Sequence, residues 1–124
     1  MSVTWTISHP ARLVIAVAKG KIGLKEIHEY LDGVVIADAL PYRKIFDLSG
    51  GSFELTNEEM MTLGARIRAY ALTSKMGPLA IVATTPQAFE AARHFTALAV
   101  ADRPVQIFRE LHEARKWLDE AVPQ

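Results

Sequence analysis

Short apolar runs that alternate with stretches of helical periodicity constrain this chain more than any other feature. Residues 3–7 alternate apolar and polar side chains as a half-buried strand does, and His9-Pro10-Ala11 breaks the run. Residues 13–18 form a second strand, ended by Lys19-Gly20-Lys21, and the short break between the two predicts an antiparallel hairpin. The period then changes. Leu24, Ile27, Leu31 and Val34 or Val35 recur at helical spacing; Gly33 weakens this helix and Pro41 marks its latest end. Residues 43–48 are again a strand.

Thr56-Asn-Glu-Glu59 fits the capping box, with a threonine N-cap and a glutamate three residues later that reaches back to it. The helix it opens puts Met60, Leu63, Ile67 and Ala71 on one face, leaves Arg66 and Arg68 as solvated charge, and stops at Lys75-Met-Gly-Pro78. Residues 79–83 are continuously apolar, the mark of a strand covered on both faces. Thr85-Pro86 starts another helix, with Phe89, Ala92, Thr96 and Ala99 as its stripe. Pro104 closes the next loop, residues 105–108 are a short strand, and Leu111, Ala114, Trp117 and Leu118 line a last helix. The order β-β-α-β-α-β-α-β-α predicts an α/β fold: a mainly parallel five-stranded sheet with one antiparallel edge and helices packed on it.

Bulk properties exclude several functions. At 124 residues, half of them hydrophobic, the chain is expected to be one domain spanning residues 1–124, with a core that needs neither disulfide nor metal. Fourteen basic residues balance fourteen acidic ones, so no nucleic-acid partner is expected. There is no cysteine, and His9, His28, His94 and His112 show no ligand spacing, so neither cofactor nor metal is expected. His28 reads as a boundary residue of its helix. No apolar run is long enough to insert in a bilayer, and the first residues lack the pattern of a signal peptide, so a cytoplasmic location is the expectation.

The segment from Lys44 to Glu59 is the best candidate site, read as a strand, then a polar loop carrying Gly50-Gly51 as flexible turn glycines, then a helix start. Asp47, Ser49, Ser52, Thr56 and Asn57 would gather at one mouth of the sheet, where a helix N-terminus favours an anion or a polar partner group. Glu54 would join them. Phe53 and Met61 would add apolar contact beside that rim, although core packing accounts for them as well. Neither glycine belongs to a nucleotide-binding motif, and no Gly-x-Ser-x-Gly elbow offers a serine nucleophile. Asp47 with Glu54 is the carboxylate pair a hydrolase or transferase would use, and catalysis is the least favoured reading.

This element order, together with Phe46-Asp47-Leu48-Ser49-Gly50, resembles the SpoIIAA-like branch of the STAS domains, the anti-sigma factor antagonist fold. The resemblance covers nearly the whole chain. The second half is similar to small stand-alone bacterial members through Ala80-Ile-Val-Ala83, Phe89-Glu-Ala-Ala-Arg93-His-Phe95, Val105-Gln-Ile-Phe-Arg109 and Glu113-Ala114-Arg-Lys-Trp117-Leu118. In the antagonists, an Asp-Ser-Ser-Gly stretch after the third strand carries a serine phosphorylated by a partner kinase. Laid on this chain, those positions are Leu55, Thr56, Asn57 and Glu58, so the acceptor is Asn57, which cannot take a phosphate.

The resemblance therefore implies a non-enzymatic, regulatory protein–protein interaction module whose switch is altered. Ser49, Ser52 and Thr56 are the remaining hydroxyls a kinase would reach. The alternative is a small-molecule or lipid-binding protein with a pocket between sheet and helices, taking an apolar or anionic ligand. An exposed antiparallel edge strand would also let two copies pair as a homodimer.

Overall fold

The computed structural model describes residues 1–98 and 103–121. Its elements are β1 (Ser2–Ser8), β2 (Leu13–Ile22), α1 (Leu24–Ile36), β3 (Arg43–Phe53), α2 (Asn57–Thr73), β4 (Leu79–Val82), α3 (Pro86–Leu98), β5 (Val105–Phe108) and α4 (Leu111–Ala121). The five strands lie side by side in chain order. β1 pairs antiparallel with β2, and every other pairing is parallel. This is the expected α/β architecture.

Sequential strand order decides where the helices go. Crossovers of one hand that always step in the same direction deposit their helices on the same face of the sheet. α1, α2 and α3 accordingly share one large core with Val14, Ala16, Phe46, Leu48 and Ile81. α4 follows the last strand and covers the opposite face, where Ala114 and Leu118 meet Ile45, Ala80 and Val82 in a smaller cluster. β4 serves both layers and is buried at every position.

Five local readings need correction. β2 and β3 run on to Ile22 and Phe53, so residues 49–53 are strand rather than loop. The register explains why alternation ends at Leu48: Val17 faces Asp47 but Lys19 faces Gly50, so β3 carries one extra residue at Leu48-Ser49. This is a β-bulge, and it reverses which side chains point inward. Phe46 and Leu48 face the large core before the bulge, and Phe53 faces it afterwards. Gly50 and Gly51 are ladder residues, not turn residues. A Cβ on Gly51 would lie 2.9 Å from the Gly20 carbonyl oxygen, so the close approach of β2 requires glycine there.

The inward stripe of α3 is Ala88, Ala92 and Phe95 rather than one built on Phe89 and Thr96, which are only partly buried; Ala99 lies outside the described residues. In the last helix Ala114 and Leu118 are buried, whereas Leu111 is exposed. Arg66 is not simply solvated charge. Its guanidinium reaches Asp32 Oδ1 at 2.5 Å, His28 Nδ1 at 2.5 Å and the Tyr70 hydroxyl at 2.6 Å, tying α2 to α1.

Candidate functional site

Two features stand at the β3–α2 region: a polar rim outside and a cavity inside. On the rim, Thr56 Oγ1 accepts the Glu59 N–H at 3.1 Å, and the Glu59 carboxylate accepts the Thr56 N–H at 3.0 Å. The predicted capping box is present, and it occupies the Thr56 hydroxyl. Asp47 Oδ1 accepts the Ser49 N–H at 2.9 Å, which braces the bulge. Ser49, Glu54 and Asn57 are exposed, Ser52 is half-buried in the ladder opposite Lys21, and Asn57 opens α2. Met61 is 59% exposed and borders a shallow groove with Thr62, Ala65, Arg68 and Leu98.

Phe53 belongs to the interior instead. Seven residues of extended strand span about 23 Å, yet the Phe46 and Phe53 ring centroids are only 6.0 Å apart. The bulged strand therefore curves back over its own face. Rings continue in both directions, Trp5 to Tyr30 at 5.7 Å, Tyr30 to Phe46 at 5.5 Å, and Phe53 to Phe95 at 6.4 Å. This aromatic row runs along one side of a cavity enclosed by the sheet and α1, α2 and α3, whose wall includes Tyr30, Leu31, Phe46, Phe53, Ile67 and Phe95. The cavity volume is about 50 Å³, about a third of the 150 Å³ of a cavity that admits benzene.

Structure searching places this architecture among known folds. An uncharacterised protein of the DUF3478 family with a SpoIIAA-like fold, from Shewanella loihica PV-4, superposes with a TM-score of 0.64 at 15% identity, over 94% of this chain and 93% of that one. The chain has a SpoIIAA-like fold. The anti-sigma factor antagonist SpoIIAA in its unphosphorylated form gives a TM-score of 0.60 at 9% identity, over 98% of this chain and all of that one. No protein-family model and no curated protein sequence matches the chain. The SpoIIAA-like likeness is thus one of fold, carried by topology rather than by sequence.

The interior also carries charge. Lys44 and Arg103 both line the cavity. Lys44 is 4% exposed and is the one buried polar or charged side chain among the described residues. Its Nζ donates to the carbonyls of Leu40 and Tyr42, the second at 2.8 Å. Burial, reinforced by repulsion from Arg103, lowers its pKa to about 7. Two acceptors suit a neutral amine, which has two protons to donate; an ammonium has a third.

Burial also lowers Arg103, to about 10, so it stays a cation at neutral pH. Its Nε is buried without a partner among the described residues, and one terminal nitrogen reaches the Gly77 carbonyl at a long 3.5 Å. Desolvation holds the Tyr30 phenol protonated well above its ordinary range.

Neither Lys44 nor Arg103 was singled out as a site residue from sequence. Lys44 had a signal: it shares inward parity with Phe46 and Leu48 on β3. Arg103 had none, because it precedes the short β5 outside any periodic stretch. Among the described residues no three acidic or histidine side chains gather as a metal cluster. No helix among them is long and apolar enough to cross a membrane.

Proposed function

We propose that this chain is a non-enzymatic binding protein that holds a small, mainly apolar molecule between its sheet and α1, α2 and α3. The observation that carries this reading is the cavity itself: an aromatic-lined space of about 50 Å³, walled by side chains from all three helices. An apolar space of that size left empty forfeits packing contacts on every wall, and a ligand would restore them. The test is native mass spectrometry of protein purified from its own organism. A non-covalent adduct that disappears on denaturation is expected. A bare chain mass, with no rise in Tm on adding 1-octanol or octanoate, would overturn the reading.

A second reading, regulatory contact with a protein partner, is favoured by the exposure of Met61 beside Asn57 at the start of α2. The fold shared with an anti-sigma factor antagonist supports it. The two readings are compatible, since Phe53 lies in the cavity wall four residues before Asn57. Modification of Ser49 or Ser52 would add a switch at the same rim and would register as about 80 Da. Thr56 is less suited, because its hydroxyl serves as the helix cap. Affinity capture with wild type and Met61→Glu tests the contact: a partner captured equally by both excludes the rim.

A further inference from the structure

We infer that the cavity selects an anion, namely a molecule with an apolar body and a single carboxylate head seated against Arg103 and Lys44. The inference rests on the cavity being a binding site and adds the chemical class of what fills it. Two basic side chains share one apolar wall. Among the described residues the ion pairs are Arg43–Asp119, Arg66–Asp32, Arg93–Glu90 and His112–Glu110, and none answers either cation. Buried charge is tolerated when paired, and two like charges in low dielectric repel, so the described residues leave this end of the cavity electrostatically unfinished.

One oxyanion completes it. A guanidinium offers parallel N–H groups in a planar fork that matches a carboxylate, and Arg103 has its Nε uncommitted among the described residues. The third proton of a charged Lys44, left over by the Leu40 and Tyr42 carbonyls, would go to the same head. The rest of the wall is hydrocarbon and aromatic, which rejects a second charge. Lys44 lies near the start of β3 and Arg103 just ahead of β5, so the head belongs at the edge where the parallel strands begin. The body would extend against Phe46, Phe53 and Phe95.

Calorimetric titration of the whole chain with octanoate and with 1-octanol at pH 7 tests this, because the two share a tail and differ in the head. Octanoate is expected to bind at least about tenfold more tightly, and Arg103→Met to remove that preference while octanol binding persists. Should Arg103→Met fail to fold, the wild type still decides. Octanoate titrated at pH 8 in two buffers of different ionisation enthalpy should reveal proton uptake as Lys44 becomes charged. Octanol binding as tightly as octanoate would overturn the anion and leave the cavity reading standing. Octanoate binding that Arg103→Met leaves unchanged would place the anion elsewhere and overturn the inference. Binding of neither ligand would overturn both.

Discussion

Lys44 shows how one side chain ties stability to pH. Its pKa in the fold is about 7 against an ordinary 10.5. Between those values the unfolded chain holds a proton that the folded chain has released, so stability rises with pH across that window and levels off above it. Below pH 7 both states are protonated, and the full cost of burying the ammonium is felt. The titratable groups that share its cavity wall are Arg103 and Tyr30: Tyr30 keeps its proton in the fold through this range, and Arg103, lowered to about 10, releases its own only toward the upper end. Urea unfolding at pH 7.5 and 9.5 should therefore show wild type gaining on the order of 2 kcal/mol relative to Lys44→Met, since one proton is worth about 1.4 kcal/mol per pH unit. Equal pH profiles for the two proteins would mean that Lys44 titrates normally. Thr56 offers a simpler test at the same scale. Its hydroxyl and Glu59 cap α2 reciprocally, so Thr56→Ala should lower stability by about 1 kcal/mol in the same assay.

At the scale of elements, the sequence was readable where periodicity is uninterrupted and opaque where it changes phase. The α2 cap and the inward positions Met60, Leu63 and Ile67 follow from spacing alone and are buried as expected. The outer half of β3 does not, because the Leu48-Ser49 bulge reverses inward and outward and makes Ser49-Gly50-Gly51-Ser52 look like a turn. The candidate rim thus falls on a stretch that is largely strand, and Phe53, for which spacing favours core packing over the rim, lies inside where β3 curves. In α3, alanines at 88, 91 and 92 blur the stripe, and Phe89 turns outward to meet the Arg109 guanidinium at 5.0 Å. Gly33 makes the tension between propensity and packing measurable. Replacing glycine by alanine within a helix ordinarily adds about 1 kcal/mol, but a Cβ here would lie 2.5 Å from the Trp5 ring. Overpacking should prevail, so Gly33→Ala is expected to destabilise by about 1–3 kcal/mol. The loss should vanish in a Trp5→Leu background, as a thermodynamic cycle would show. A stabilised Gly33→Ala single variant would mean that the helix and β1 shift apart at little cost.

The whole molecule is lopsided, and this follows from its strand order. Three crossover helices on one face leave α4 alone on the other, so the sheet separates a large core with a cavity from a small one formed by Ile45, Ala80, Val82, Ala114 and Leu118. Element order in the sequence is enough to foresee a sheet covered by helices. The cavity is not foreseeable in the same way, since it depends on how far three helices stand off a bulged, curved strand. The division predicts two kinds of stability that are separable. Leu118 is 1% exposed in the small cluster and lines no part of the cavity. Leu118→Ala should cost about 2–5 kcal/mol and leave ligand affinity unchanged, so octanoate should raise the Tm of the variant about as much as that of wild type. Ile67 is 3% exposed but lies in the cavity wall. Ile67→Ala should cost a similar amount while altering octanoate affinity, because the space that the ligand fills has grown. If Leu118→Ala weakened octanoate binding as strongly as Ile67→Ala did, the sheet would be transmitting strain between its faces, and the two layers would have to be treated as a single packing unit.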